Sequence, residues 1–154
     1  MHENFHWIKE GYKVSTDKSL LNITAIHQFL AHSSGWANGI DHETVKCSIE
    51  NSLTFGLYKD NTQIGFARFV TDFATFGYLC DVYVLEEYQK QKLGRWLIEC
   101  CQTHPAIQRL RRIMLVTSTA PWLYEKFGYS PVNSEHHVWQ IARPDIYKQG
   151  QNGC

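Results

Sequence analysis

The stretch Gln89-Lys90-Gln91-Lys92-Leu93-Gly94-Arg95 is polar for four residues and then enters an apolar helical pattern. It follows F-G-Y-L-C-D-V-Y-V-L (Phe76 to Leu85), a run of strand type. A loop that joins a parallel strand to its crossover helix lies at the carboxyl end of the sheet, where open α/β sheets bind ligands. The helix start brings unpaired backbone N–H groups and the positive end of the helix dipole, so the unit suits an anion, most often a phosphate. Lys90, Lys92 and Arg95 add mobile positive charge, and Gly94 permits close backbone approach. Diphosphate is the ligand this chemistry favours. A solvated turn with ordinary surface lysines uses the same residue types, and this stretch alone does not separate the two readings.

A second chemistry-bearing residue is Asp81, a lone carboxylate inside that otherwise apolar strand. Buried carboxylates are normally paired, so Asp81 is either a reactive acid or a structural one bonded to a backbone amide or to a neighbour such as Arg68. The pairs Asp41/Glu43 and Glu86/Glu87 read as caps and turns. Eight histidines raise the question of a metal, but His136 and His137 are adjacent rather than four apart, and no His or Cys spacing resembles a zinc site. No metal is expected. No cysteine or serine sits in a recognisable nucleophile motif, which argues against a covalent enzyme intermediate.

These residues need elements to position them. Residues 11–17 alternate like a short strand, and Leu20, Leu21, Ile23, Ile26, Phe29 and Leu30 recur at helical spacing, which predicts a helix over 19–32 capped by Asp17 or Ser19. S-S-G-W-A-N-G breaks it, and Asp41 caps a more polar second helix. Period two then predicts strands at Leu53–Tyr58 and Gln63–Val70, joined by K-D-N-T, with Phe76–Leu85 apolar enough to be buried on both faces. A helix from Leu93 stops at Pro105, and R-R-I-M-L-V-T-S (111–118) is a further buried strand, so strand, helix, strand implies a right-handed crossover with parallel pairing. A-P-W-L-Y-E-K-F-G is a short helix with Pro121 in its first turn and Gly128 as its stop, and Y-S-P-V and H-V-W-Q-I-A look like closing strands. One domain over residues 1–147 with a loose tail at 148–154 is the expected organisation.

Composition bounds the function. Fifteen basic and fifteen acidic residues leave no net charge, so no global field draws the chain to nucleic acid or to an anionic membrane. No stretch is apolar for the length of a membrane span, and the start carries no secretory pattern. Five cysteines without a C-x-x-C pair argue against a disulfide framework and fit a reducing cytoplasm. The chain is expected to be cytoplasmic, a monomer or homodimer, with neither a nucleic-acid nor a membrane partner.

Y-V-L-E-E-Y-Q-K-Q-K-L-G-R-W-L-I (83–98) resembles the acetyl-coenzyme-A signature of the GNAT superfamily of N-acetyltransferases: Arg or Gln, two residues, Gly, one residue, then Gly or Ala. L-Y-E-K-F-G-Y (Leu123 to Tyr129) resembles the second hallmark of that family, and the element order matches. The resemblance covers the whole chain and is strongest from about Leu53 to Val132. It implies a mixed α/β fold with a mostly antiparallel twisted sheet, one splayed parallel strand pair and about four flanking helices. It implies that acetyl-coenzyme A is the co-substrate, its diphosphate wrapped by amides between Gln89 and Arg95, through Lys90, Gln91, Lys92, Leu93 and Gly94. The first glycine of the signature is Lys92 here, a departure that either crowds the phosphates or adds charge beside them. The strand is expected to splay around Val82, Tyr83 and Val84, where pantetheine pairs with exposed backbone and a strand N–H meets the acetyl carbonyl. The resemblance makes Tyr124 the acid that protonates the thiolate and Asp81 the candidate base for a small-molecule primary amine. Trp36, Phe73 and Tyr78, with Phe76 and Tyr83, would wall the acceptor pocket.

Other classes remain open on sequence. A non-catalytic acyl-coenzyme-A-binding module draws support from Lys92, and R-L-R-R (Arg109 to Arg112) offers a nucleic-acid reading that zero net charge opposes. A protein or peptide amine is a variant of the main reading.

Overall fold

The computed structural model describes residues 2–132 and 136–149. Its six strands lie side by side in chain order, β1 (His6–Lys9), β2 (Tyr12–Ser15), β3 (Leu53–Lys59), β4 (Thr62–Thr71), β5 (Phe76–Val84) and β6 (Arg112–Met114). Every neighbouring pair is antiparallel except β5 with β6, which is parallel. Among the described residues five α-helices accompany the sheet: α1 (Ile23–His32), α2 (His42–Glu50), α3 (Leu93–Thr103), α4 (Pro105–Gln108) and α5 (Pro121–Glu125). The expected mixed α/β architecture is therefore present, parallel pair included.

Two cores sit on opposite faces of the sheet. On one, Phe55, Leu57, Ala67, Phe69 and Leu79 of the strands pack on Leu93, Leu97 and Ile98 of α3, with Ile107 and Tyr124 beside them. On the other, Phe66 and Tyr83 meet Ile26 and Leu30 of α1 and Val45 and Ile49 of α2. Full burial of one such side chain stabilises by about 1.5–3 kcal/mol, which is what holds the helices to the sheet.

Local chemistry explains most boundaries, and it corrects several expectations. The 19–32 segment is split: Asp17 caps a 3₁₀ turn at Lys18–Leu20, and Asn22, through its side chain to the Ala25 N–H, caps α1. Asp41 caps α2 as expected. Pro105 ends α3 and also begins α4, whose cap is the His104 ring accepting from the Ala106 N–H at 3.0 Å. Gly128, at φ +91°, stops the turn after α5. β1 gave no sequence signal because His6-Trp7-Ile8-Lys9 is an edge strand with mostly exposed residues. Strand β5 is half-buried along Cys80–Val82 rather than covered on both faces.

The largest differences lie late in the chain. The strand expected at 111–118 shrinks to Arg112–Met114. Neither closing strand exists among the described residues: Pro131 cannot donate to a ladder, and Val138, Trp139 and Ile141 are exposed with no strand beside them. Cys80, Cys100 and Cys101 are free. Most of the tail expected at 148–154 lies outside the described residues.

Candidate active site

Strands β5 and β6 are in register only for Phe76↔Arg112, Gly77↔Ile113 and Tyr78↔Met114. Past Tyr78 the two chains part, so β5 from Leu79 to Val84 presents backbone that has no ladder partner on that side among the described residues. The splay begins earlier than the expected Val82. Beyond it lies a cleft of about 1100 Å³, with Leu79–Val84 on one wall and Leu115–Ala120 on the other.

The start of α3 closes one end of this cleft. Lys92 is its N-terminal cap residue, in the left-handed conformation at φ 62°, and no side chain caps the first turn. The leading N–H groups of the helix are thus left without a side-chain acceptor, beside the exposed cations of Lys90, Lys92 and Arg95. Lys90 is also left-handed, at φ 66°. These two lysines hold a conformation that glycine adopts freely, so the departure from the signature at Lys92 preserves the glycine-like turn. A Cβ placed on Gly94 would touch only Val84 Cγ2, at 3.8 Å, so the helix turn stays bare toward the cleft. Two glutamines tie the loop down: Gln89 Nε2 donates to the Val84 carbonyl at 2.9 Å, and Gln91 Oε1 accepts from the Tyr12 hydroxyl at 3.0 Å. Gln91 therefore points away from the cleft lining, while Gln89, Lys90, Lys92, Leu93, Gly94 and Arg95 belong to it.

Asp81 owes its position to a bulge. Phe66 pairs with Tyr83 and Arg68 with Cys80, so Asp81 and Val82 together face the single residue Ala67. Asp81 takes φ 53°, and the extra residue puts Tyr83 and Cys80 on one face although they are three apart. The carboxylate then accepts from Arg68 Nε on Oδ2 at 2.9 Å and from Trp36 Nε1 on Oδ1 at 3.0 Å. Arg68 in turn donates to Ser52 Oγ at 3.0 Å. Of the two readings of Asp81, its pairing with Arg68 is realised, and each oxygen keeps a further lone pair.

Aromatic rings surround this carboxylate. Phe29 stacks on Tyr83 with centroids 3.8 Å apart and leans on Trp36 at 6.3 Å. Trp36, Tyr78, Tyr83 and Phe29 line the cleft. Phe73 does not: it stacks on His2 at 3.8 Å, outside the lining. Phe29 was hidden by its helical spacing with Ile26 and Leu30, which reads as core. Burial pushes the Cys80 thiol up to about 11, so it stays protonated beside Asp81.

Tyr124 lies on the facing side, on α5. It is buried at 9% exposure, its ring meets Tyr129 edge-on at 5.8 Å, and the residue lines the cleft. Burial, with a smaller contribution from the neighbouring Cys101, raises its phenol above 10.0 and keeps it a proton donor.

The sequence model for the acetyltransferase (GNAT) domain matches residues 50–131. A Gibberella zeae protein, FG08082, named for acetyltransferases, is 33% identical over 143 residues, covering 79% of this chain and 80% of its own. This chain belongs to the GNAT family of acetyltransferases. A GNAT-family crystal structure from Xanthomonas campestris (xcc2953) superposes with a TM-score of 0.86 at 38% identity, over 90% of this chain and 97% of that one. The fold is shared more distantly with a Clostridium acetobutylicum acetyltransferase solved with acetyl-CoA, at TM-score 0.62 and 15% identity over 85% and 94% of the two chains.

Proposed function

We propose that this GNAT acetyltransferase moves an acetyl group from acetyl-coenzyme A to the primary amine of a small molecule by direct attack. The observation that carries the reading is the uncapped first turn of α3, with Lys90, Lys92 and Arg95, at the mouth of the β5–β6 splay. Backbone N–H groups and cations in that arrangement fit a diphosphate. The edge of Leu79–Val84, which has no ladder partner on that side among the described residues, fits an amide-bearing pantetheine arm, which would lie along it as an added strand.

A thioester supplies an activated acyl carbon and a leaving thiolate. The chain's residues then have three tasks. A backbone N–H of the splayed β5 segment, from Val82 or Val84, donates to the acyl oxygen as charge builds there. Asp81 orients the incoming ammonium and takes its first proton, because free amines of pKa ~10.4 arrive protonated. Tyr124 gives its proton to the thiolate of pKa ~8.5 and recovers one from the nitrogen that has been acylated. The C–N bond forms, the C–S bond breaks, and one proton leaves overall to solvent.

Calorimetric titration with acetyl-coenzyme A and with coenzyme A, at two salt concentrations, tests the site. Micromolar binding that weakens with salt, followed by thiol release on adding an amine, is expected. Binding without turnover of any amine would instead support the acyl-coenzyme-A-binding module, and no binding at millimolar ligand would remove the loop's assignment.

A further inference from the structure

The acceptor end of the cleft carries a charge pattern that the residue types alone do not reveal. Among the described lining residues Asp81 is the one carboxylate, against four cations: Lys90, Lys92, Arg95 and Lys126. That carboxylate is already matched by Arg68, with Nε–Oδ2 at 2.9 Å and side-chain exposures of 16% for Arg68 and 11% for Asp81. Coulombic attraction for a ligand ammonium depends on unneutralised charge, and in a partly buried setting a guanidinium this close cancels most of it. What remains is a hydrogen-bonding carboxylate without a net negative field. Around it stand the Phe29–Tyr83 stack, the Trp36 indole and the Tyr78 ring. The indole is itself fixed in place by its N–H bond to Asp81 Oδ1.

We propose that Arg68 is a specificity-determining residue. By neutralising Asp81 it fits the cleft to a monoamine carried on a flat apolar body, and against polyamines with several positive charges. This rests on the acetyl-to-amine reading given above. One ammonium finds one carboxylate with free lone pairs, and the body of the acceptor lies on aromatic faces, where a ring also attracts the single cation. A second or third ammonium finds no further carboxylate among the described lining residues and would leave water for aromatic faces without a partner, which is discrimination by unpaired charge as well as by attraction. Arg68 touches no reacting atom; it acts through Asp81, with Ser52 Oγ holding its far nitrogen.

The test is steady-state acetylation of three probe amines, 2-phenylethylamine, spermidine and glucosamine 6-phosphate, by the wild-type protein and by Arg68→Gln. The wild type is expected to favour 2-phenylethylamine over spermidine by at least tenfold in kcat/KM. Arg68→Gln is expected to shift that ratio toward spermidine by tenfold or more, chiefly through the KM of spermidine, with the KM of acetyl-coenzyme A unchanged. A wild-type preference for spermidine or for the phosphorylated amine overturns the inference and leaves the acetyl-to-amine reading standing. So does an Arg68→Gln ratio equal to that of the wild type. If Arg68→Gln does not fold, Trp36→Ala decides: its KM for 2-phenylethylamine should rise at least tenfold with that for spermidine little changed, and equal changes overturn the proposal. No acetylation of any amine by a protein that binds acetyl-coenzyme A refutes the parent reading itself.

Discussion

Replacing Tyr124 with Phe removes one oxygen and leaves the ring against Tyr129, so the variant isolates the proton that the phenol is proposed to deliver. The hydroxyl has no hydrogen-bond partner among the described residues, and it is not one of the sealed polar atoms left unpaired, which are Thr54 Oγ1 and Tyr58 Oη, so deleting it strands no other group. Stability should therefore change by less than about 1 kcal/mol, a shift in Tm of no more than about 4 °C for a domain of this size. Loss of a positioned acid costs roughly 10²–10⁴-fold in rate, about 3–5 kcal/mol on the barrier. Because burial raises the phenol above 10.0, wild-type turnover should show no falling alkaline limb from Tyr124 below that value. The assay is coenzyme A release under saturating amine, with the Kd of acetyl-coenzyme A measured calorimetrically on the same preparation. Expected is a hundredfold or greater fall in kcat with Kd within about threefold. Tyr129→Phe is the internal control, since that hydroxyl donates to Gln102 Oε1 at 2.9 Å and does not line the cleft. It should lose stability and keep kcat. An unchanged kcat in Tyr124→Phe, or equal losses in kcat and binding, would refute the acid assignment.

Two further outcomes rest on local geometry. His104 is buried among Phe5, Trp7 and Phe55, and burial first, then His2 and Arg109, lowers its pKa below 6.5. Below pH 6.5 the unfolded chain takes up this proton before the folded one does, so stability must fall as pH drops from 6.5 through the folded value. His104→Asn keeps an acceptor for the Ala106 N–H and removes the titration; urea unfolding at pH 7.5, 6.5 and 5.5 should give a flatter profile for the variant, and parallel profiles would exclude His104 as the cause. At Lys92, with φ 62°, Gly and Val should behave oppositely. Lys92→Gly relieves left-handed strain of roughly 1 kcal/mol and loses a similar amount to unfolded-chain entropy, so Tm should hardly move, whereas Lys92→Val should cost about 1–2 kcal/mol. A Val variant as stable as the Gly variant would show that the turn is not left-handed in solution.

How much of the molecule is legible in its residues depends on how local the governing physics is. The loop before α3 is legible because its parts, the strand end, the lysines, Gly94 and the helix start, are neighbours in sequence. Asp41 at the start of α2 and Gly128 after α5 are legible for the same reason. Legibility fails where a feature depends on what another strand does. The bulge that gives Asp81 its direction exists only in the register of β5 against β4, and nothing in F-G-Y-L-C-D-V-Y-V-L marks which residue is extra. The early end of β6 is likewise a pairing property: Leu115 and Val116 have strand-forming side chains, yet the chain leaves the sheet after Met114. Phe73 resembles a pocket residue because it is aromatic and near β5, but its left-handed backbone, at φ 64°, accompanies a ring turned onto His2.

The irregularities that sequence periodicity does not encode are concentrated at the cleft, and one of them links its two ends. A regular β5 would alternate strictly, placing Asp81 on the face opposite Cys80 and on the side of the α3 core, where Leu79 and Phe69 leave no water. The bulge brings the carboxylate to the Arg68 and Trp36 side instead, joining the start of β3 through Ser52, β4 through Arg68 and the loop after α1 through Trp36. It also adds local twist to β5 just where its pairing with β6 has ended, which favours divergence of the two strands. One inserted residue thus sets the only lining carboxylate of the described residues in the cleft just where the two strands part. A deletion that restored regular alternation at Asp81 should for that reason weaken the proposed acceptor recognition and the proposed cofactor edge together, read as a rise in the KM of both the amine and acetyl-coenzyme A, whereas Arg68→Gln should touch the first alone.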